Sequence, residues 1–532
     1  MRYKAIKIMS VAVLGLFLFS SCDDKLDIAK KGNLGSVEDF YKTDEDATKA
    51  IGVAYSAWGG LHYGLTFVTN MLSDDCWAGG PSRGDSPDLQ LMNEYMFGSD
   101  NSTIQSLFSG LYGLNYDCNL VIEKVSPDTP EKKRCLAEAY FFRGWANFYL
   151  GALWGTAPKV DHLLQPSEYA CGNSEKGDLI NFAIENFQQA ISLGSLPSKT
   201  SVDDAATPIR VTREAAYAYL GKALLFAGRD DEAAKALDEV IDSKLYDLYQ
   251  GDYGDIHKPV AEFSCESILE NNQVDDVNTA WSFMNYVSVM RGWRNDQIAW
   301  SGLKAQFADV TSGYGFENPH KALYDAFKAW DEKGGGDDYR LDQTIKTYDY
   351  LKNTMGLTVT TTMHGNEGLF DWKLRALKSE LVQDMGGWNV LVKTNWRYMR
   401  YAEVLLLAAE ANLKSNPAKA VEYINKVRTR AHLTPLGSVT LDDVKQEKRF
   451  ELCFEGIRYM DLVRWGDAAT VLKDQGKTVR CFSPEGEVKT EYSNASAGFQ
   501  KGKHELLPIP AKELLLNKNI NQNDGWAGEE QK

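Results

Sequence analysis

The feature that most constrains the fold is a pattern of two helices joined by a short turn, which recurs along the chain. Its clearest copy is Thr212–Ser243, where an Ala-rich helix is followed by a polar turn and a second amphipathic helix. Gly221, Gly228 and Ala233 stand at positions where two packed helices must approach closely. A single pair cannot bury its apolar face, so the pattern predicts a stack of several pairs.

Three more copies follow the same scheme, with small residues at the spacings of tetratricopeptide repeats. They are Asn395–Ala431, Leu136–Leu153 with Asp178–Leu193, and Val37–Ala57 with Ser102–Val125. The sequence therefore predicts a mainly α-helical protein with four discontinuous tetratricopeptide-like helix pairs. Residues 36–244 and 395–475 form the helical repeat scaffold in this interpretation.

Two inserts, residues 58–101 and 245–394, interrupt the scaffold. Both are rich in Gly, Asp, Asn, Trp and Tyr and show little helical period. Loops carried on a rigid scaffold are where binding residues usually lie. The second insert is too long for one loop, so we expect it to form an irregular, loop-rich lobe with short strands. Residues 476–532 follow as a C-terminal segment.

The N-terminus predicts export. Arg2, Lys4 and Lys7 precede an apolar run, Ile8–Phe19, that is too short to span a bilayer about 30 Å thick. The run ends in Phe19-Ser20-Ser21-Cys22, which resembles the lipobox of bacterial lipoproteins. We predict a signal peptide at residues 1–21, a mature body of residues 22–532, and lipidation of Cys22. Plain secretion with an accidental cysteine is the alternative.

Charge and cysteine content exclude several functions. The chain has 58 Lys and Arg against 74 Asp and Glu, a net charge of −16 at pH 7, and lacks a basic stripe for nucleic acid. The other seven cysteines are scattered without CxxC pairs, so neither a zinc ribbon nor a full disulfide framework is expected.

The acidic segment Asp331–Asp342 misses the EF-hand spacing. We predict no cofactor, while a structural Ca²⁺ ion elsewhere stays open.

One acid-rich helix could suggest catalysis. Val444–Trp465 reads as a single helix with Glu447, Glu451 and Glu455 on one face. Opposite charges three or four residues apart, such as Glu455 with Arg458, pair readily along a helix. A salt-bridged structural face is therefore the favoured interpretation.

Several segments together carry a wider resemblance. In chain order they are the lipobox at Cys22; Leu136–Gly144 (LAEAYFFRG); Trp154-Gly155 with Ala157-Pro158; Arg397-Tyr398 with Tyr401–Leu406; Asn425 with Val427–Ala431; Glu447 with Arg449–Leu452 and Phe454–Trp465; and Leu507–Pro510 with Asn517, Asn519 and Gln522-Asn523. This set resembles the SusD-like (RagB/SusD) family of outer-membrane nutrient- and glycan-binding lipoproteins. A small departure is Met460, where the family often has Phe.

The resemblance implies a SusD-like fold and a non-catalytic protein lipid-anchored at the outer membrane, on the cell surface. Such a protein captures an oligo- or polysaccharide and delivers it to a SusC-like TonB-dependent transporter. The resemblance also implies that the glycan lies on loops at about residues 70–100 and 265–345. Which glycan is bound stays open.

Sugar chemistry selects candidates within those loops. A pyranose ring has an apolar face and a rim of hydroxyls, so it is bound by flat aromatic rings with a few polar neighbours. The predicted platforms are Trp77, Trp281, Trp293, Trp300 and Tyr314, and the predicted hydrogen-bonding residues are Asp75 and Arg83.

Two other classes of function remain as alternatives. A glycoside hydrolase needs two carboxylates across the scissile bond, and neighbours such as Asp74 and Asp75 on an extended strand point to opposite faces. No GxSxG or HExxH motif is present. The other alternative is a repeat scaffold of an uptake complex that binds only peptide or protein.

Overall fold

The structure is a computed structural model that describes residues 41–278, 287–334, 338–382 and 391–528. The predicted signal peptide, Cys22 and Trp281 lie outside these residues. Within the described ranges, no helix has both the length and the apolar character that crossing a bilayer requires.

Helices form the scaffold. In the first half they are α1 Asp44–Gly60, α2 His62–Met71, α3 Pro87–Asn93, α4 Ser102–Lys124, α5 Pro130–Trp154, α6 Asp178–Ser192, α7 Arg213–Phe226 and α8 Asp230–Asp242. The remaining described helices are α9 Val287–Met290, α10 Lys321–Gly334, α11 Arg340–Thr344, α12 Tyr401–Asn412, α13 Pro417–Arg430, α14 Leu441–Leu452, α15 Arg458–Trp465, α16 Ala468–Val471 and α17 Ala511–Leu516. Helices α2, α3 and α10 lie in the inserts, so these segments are more helical than expected.

The helix pairs named from the sequence are neighbours in the structure: α1 packs on α4, α5 on α6, α7 on α8, and α12 on α13. Glycine permits the closest approach. A Cβ atom on Gly221 would lie 2.4 Å from Cγ of Leu237, and one on Gly144 would lie 3.0 Å from the Phe187 ring. These distances are shorter than van der Waals contact, which explains glycine there. The tetratricopeptide-like geometry of each pair stays a prediction.

Short strands form small sheets, and strands β2 to β10 lie in the second insert, as expected for the loop-rich lobe. The strands are β1 Cys76–Gly79, β2 Ser267–Asn271, β3 Trp293–Arg294, β4 Ile298–Ala299, β5 Ser312–Gly313, β6 Phe316–Pro319, β7 Ile345–Thr347, β8 Thr358–Val359, β9 Met363–His364, β10 Leu369–Asp371, β11 Trp396–Arg400, β12 Thr478–Phe482 and β13 Val488–Ser493. The antiparallel pairs are β1 with β6, β2 with β11, β4 with β8 and β7 with β10, and β12 lies between β9 and β13. Strands β3 and β5 are parallel.

The single helix predicted over Val444–Trp465 was wrong. The chain leaves the helical path between α14 and α15, where Phe454 has a φ of 68° and Gly456 a φ of 79°. A left-handed residue ends the regular i to i+4 hydrogen bonding. The predicted pairing of Glu455 with Arg458 was also wrong, because Arg458 instead donates to Asp74, 384 positions away.

Buried charged side chains near the break between α14 and α15 connect the loop-rich lobe of the second insert to the helical scaffold. We define the buried ion cluster as the cations Arg340, Lys373, Arg400, Arg428 and Arg430 with the carboxylates Glu266, Asp338, Glu447, Glu451 and Glu455. Five positive charges face five negative charges in this set. His257 lies beside Glu455, and burial lowers its pKa to about 3, so it adds no charge at neutral pH. The acidic face of α14 is therefore structural, as predicted, but it is buried.

Candidate functional site

The two inserts meet at the β1–β6 ladder. Trp77 on β1 lies opposite Asn318 on β6, and the backbone N–H of His320 donates to the carbonyl oxygen of Asp75 at 2.9 Å. Gly79 fits here because a Cβ atom would lie 2.3 Å from the carbonyl oxygen of Gly315. The loops at residues 70–100 and 265–345, expected to form one site, therefore lie side by side.

Trp77 is buried beside this ladder. Its side chain is 3% exposed, its ring stacks on His320 with centroids 4.4 Å apart, and its indole N–H donates to Glu367 Oε2 at 2.9 Å. An open platform needs a free ring face. The predicted platform role of Trp77 does not fit this position, because His320 stacks on one face and almost none of the side chain is exposed.

Trp293 is also buried, at 2% exposure, in the core of the lobe. Its ring stacks with those of Trp300 and Trp372, with centroids 6.3 and 6.0 Å away, and Phe370 meets it edge-on. Aromatic clusters of this kind contribute to folding through buried area. The predicted platform role of Trp293 does not fit either, since almost none of its side chain is exposed.

Trp300 and Tyr314 keep part of their surface in solvent. Trp300 is half-buried and Tyr314 is 36% exposed. Arg294 joins them, because its Nη1 donates to the Tyr314 carbonyl oxygen at 3.3 Å and its own carbonyl oxygen accepts from the Trp300 indole N–H at 3.4 Å. Arg294 also donates to both oxygens of Asp296, at 2.8 and 2.9 Å. We call Arg294, Asp296, Trp300 and Tyr314 the loop face.

The loop face has the mixed character that sugar recognition needs. Hydrogen bonding from Arg294 lowers the pKa of Asp296, so this carboxylate is charged at neutral pH. Its side chain is 61% exposed and offers acceptors to a ligand hydroxyl. Charged groups of this kind make the stronger hydrogen bonds to hydroxyls. The roles of Trp300 and Tyr314 as glycan contacts stay predictions.

Asp75 and Arg83 hold the first insert in place. Asp75 is 1% exposed and accepts from Arg449 Nε at 2.8 Å. Next to it, burial opposes the charge of Asp74, but Arg449 and Arg458 outweigh burial and keep the pKa of Asp74 well below its ordinary value. The predicted role of Asp75 in glycan contact does not fit its burial.

Arg83 is likewise engaged within the protein. Its Nε and Nη2 donate to the two carboxylate oxygens of Glu94 at 3.2 and 2.5 Å, and its guanidinium group lies 4.2 Å above the centre of the Tyr492 ring. These contacts fasten the first insert to the β12–β13 hairpin. The Arg83 side chain is 38% exposed, and its contact with sugar hydroxyls stays a prediction.

A cleft of about 540 Å³ opens next to Trp77. We call it the Trp77 cleft, and its lining includes Trp77, His320, Glu367, Gln475, Lys477 and Arg480. The sequence did not single out Glu367, Gln475, Lys477 or Arg480. Glu367, Gln475 and Lys477 belong to irregular segments and Arg480 to the short strand β12, and none of these has a motif, so no sequence signal distinguishes them from ordinary surface residues.

Metal and thiol chemistry receive no support from the geometry. Across the described ranges, no group of three or more His, Cys, Asp and Glu side chains is arranged to hold a metal ion. The seven cysteines from Cys76 to Cys481 are free thiols.

Comparison with known proteins places the chain in a family. The model described as "SusD family" matches residues 265–526, and the model described as "Starch-binding associating with outer membrane" matches residues 48–225. SusD-like protein P2 of Formosa agariphila is 24% identical over 515 residues, which cover 92% of this chain and 93% of that protein. A SusD-like protein of Bacteroides ovatus is 24% identical over 494 residues, covering 86% of this chain and 82% of that protein.

Solved structures share the fold. A laminarin-binding SusD-like protein superposes with a TM-score of 0.77 at 26% identity, covering 91% of this chain and 100% of that one. Surface glycan-binding protein A from Bacteroides thetaiotaomicron, solved in complex with laminarihexaose, superposes with a TM-score of 0.72 at 23% identity, covering 90% and 99%. The chain belongs to the SusD (RagB/SusD) family, and its fold is SusD-like.

Proposed function

We propose that this chain is a non-catalytic, cell-surface glycan-binding lipoprotein. It captures an oligo- or polysaccharide and delivers it to a SusC-like TonB-dependent outer-membrane transporter. The lipobox at Cys22 supports the lipid anchor, and family membership supports the outer-membrane location. The observation that carries glycan binding is the loop face, where two part-exposed rings lie beside the exposed carboxylate of the Arg294–Asp296 pair.

The loop face suits an open, shallow mode of binding. Trp300 rests on the buried Trp293 ring, with an angle of 24° between the two planes, so its orientation is fixed before a ligand arrives. Asp296 and Arg294 fix each other through two hydrogen bonds. A preorganised surface loses little conformational freedom on binding, which favours affinity.

The same surface is poorly suited to hydrolysis. Glycoside cleavage requires a carboxylic acid whose pKa is raised so that it can protonate the leaving oxygen. The pKa of Asp296 is lowered instead. Burial raises the pKa of Glu317 to about 7, but this side chain is completely buried, pairs with Arg291 and is not part of the loop face. These features support binding without chemical change.

The test removes both rings of the loop face. We expect the double variant Trp300→Ala with Tyr314→Ala to bind laminarihexaose, or whichever glycan the wild type retains in an affinity-gel panel, at least tenfold more weakly. Loss of one important contact costs about 1.4 kcal/mol or more, which is a tenfold change in Kd. Isothermal titration calorimetry measures the difference.

A matched control is Tyr116→Ala, which removes a 55% exposed ring from helix α4 on the scaffold. We expect this variant to bind as the wild type does. Equal Kd values for the double variant and the wild type would refute the loop-face assignment. A wild-type protein that retains none of the polysaccharides in the panel would refute glycan binding itself.

A further inference from the structure

The Trp77 cleft has a ligand-binding geometry of its own, distinct from the loop face. Three separate parts of the chain build it: β1 supplies Trp77, the loop before β10 supplies Glu367, and the segment from α16 into β12 supplies Gln475 and Arg480. Its rim is exposed to solvent at Asp474. A volume of about 540 Å³ lies within the range of small-ligand pockets.

One wall is rigid and presents an acceptor. Oε2 of Glu367 accepts from the Trp77 indole N–H at 2.9 Å and from the Lys321 backbone N–H at 2.7 Å. Among the described residues, none donates to the other oxygen, Oε1. His320 stacks on Trp77, and burial lowers its pKa, so its imidazole is neutral at pH 7. Glu367 is therefore held in place with one oxygen left to accept from a ligand.

A second group of lining residues presents donors. Gln475 is 7% exposed, and its amide nitrogen is buried without a hydrogen-bond partner in the described part of the chain. Buried donors are nearly always satisfied, so an unsatisfied one in a residue that lines a cleft indicates a missing acceptor. Arg480 donates from Nη1 to the Thr490 hydroxyl at 2.6 Å, and no carboxylate of the described ranges lies within ion-pair distance of it.

The other charges of the cleft are neutralised within the protein. Arg449 and Arg458 pair with Asp74, each at 2.8 Å, and Lys477 pairs with Asp474 at 2.9 Å. Within the described lining of the cleft, the charges left for a ligand are the guanidinium group of Arg480 and one oxygen of Glu367. A guanidinium group matches the geometry of a carboxylate or an oxyacid anion, and a carboxylate oxygen accepts from a hydroxyl.

We infer that the Trp77 cleft binds a sugar residue that carries an anionic substituent, either a carboxylate or a sulfate ester. Arg480 and the Gln475 amide donate to the anionic group, and Glu367 accepts from a ring hydroxyl. This inference rests on the proposed function and names the ligand class that the protein selects. Because the net charge is −16, a chain with an occasional acidic residue fits better than a uniform polyanion.

The test compares D-glucuronate, glucose 6-sulfate and glucose by saturation-transfer NMR titration in 150 mM NaCl, where surface charges are screened beyond about 8 Å. We expect at least one acidic sugar to bind at least tenfold more tightly than glucose, and the one that binds identifies the group. The variant Arg480→Gln should lose at least tenfold in affinity for that sugar. Arg480→Lys, which keeps the charge but not the planar fork, should lose less.

The matched control is Arg213→Gln, which removes a half-exposed arginine from the scaffold and should leave sugar binding unchanged. Equal binding of glucose and both acidic sugars, or an Arg480→Gln variant that binds the acidic sugar as the wild type does, would overturn the inference. If laminarihexaose binding still depends on Trp300 in that case, the proposed function stands. If the acidic sugar binds and Arg480→Gln weakens it, but Trp300→Ala with Tyr314→Ala leaves glycan binding unchanged, the loop-face assignment alone is overturned.

Discussion

The buried ion cluster allows a quantitative test of what joins the lobe to the scaffold. Glu451 on α14 accepts from Arg340 at 2.9 Å and from Arg400 at 3.0 Å, pairs also with Arg430, and has no exposed side-chain surface. The variant Glu451→Gln keeps the shape of the side chain but removes the negative charge that three buried guanidinium groups share. Removing one partner from a buried ion pair costs about 3–5 kcal/mol.

This cost translates into a shift of the melting temperature. The entropy of unfolding is about 2.1 cal/mol/K per residue, so a chain of 532 residues has about 1.1 kcal/mol/K. A loss of 3–5 kcal/mol therefore lowers Tm by about 3–5 °C. Differential scanning calorimetry at pH 7 measures the shift.

The pH dependence of the shift provides a second measurement. Burial opposes the charge of Glu451, but Arg430, Arg400 and Arg340 outweigh burial and lower its pKa to about 2, from an ordinary value of 4.5. A carboxyl with a lowered pKa stabilises the fold above its unfolded pKa, and this stabilisation is lost as the pH falls towards the folded pKa. The Tm difference between the wild type and Glu451→Gln should therefore shrink between pH 4.5 and pH 2.

The control is the same change at an exposed pair. Glu45 pairs with Lys49 on α1, and the two side chains are 76% and 61% exposed. Exposed pairs contribute little to stability, so Glu45→Gln should leave Tm unchanged. If Glu451→Gln melts at the wild-type temperature, as the control does, the cluster does not hold the lobe and scaffold together.

Two further predictions concern packing and pH. Gly221→Ala should lower stability by about 1–3 kcal/mol, since the new methyl group would lie 2.4 Å from Leu237, whereas Gly113→Ala on α4 meets nothing within 4 Å and should be neutral or stabilising in urea unfolding. Burial raises the pKa of Glu317 from 4.5 to about 7, so the folded state loses stability as the pH rises through that window. The Tm of Glu317→Gln relative to the wild type should therefore increase from pH 5 to pH 8, and a constant difference would contradict this reasoning.

The helical scaffold was predictable because its determinants are local. Helix pairs need apolar residues three and four apart and small residues at the crossing, and both are visible along Thr212–Ser243. The side chain of Thr212 caps α7 by accepting from the backbone N–H of Ala215, which the sequence also favours at a helix start. Such features require no knowledge of distant segments, so the helix pairs named from the sequence are neighbours in the structure.

The aromatic residues of the inserts were not predictable in the same way. Trp77 and Trp293 lie in segments without a period, so the sequence offered no sign of a core and both were predicted to be exposed. Their burial depends on partners far along the chain, since Glu367 accepts from Trp77 and Trp372 stacks on Trp293. Loop position therefore did not establish exposure, and the same limit applies to Asp75, which Arg449 covers from 374 positions away.

The way the lobe is attached affects how a ligand can be bound. Arg340 and Lys373 come from the second insert, and Glu451 and Glu455 come from the segment around the break after α14, so ion pairs cross the junction between lobe and scaffold. A displacement that separated these groups would leave charges unpaired in a low-dielectric interior, which is far more costly than sliding apolar surfaces past each other. The cluster therefore favours one orientation of the lobe, and with it one arrangement of the loop face and the Trp77 cleft before any sugar arrives. A glycan long enough to contact both the loop face and the Trp77 cleft would bind two sites at a fixed spacing, and this spacing would restrict which glycan chains bind.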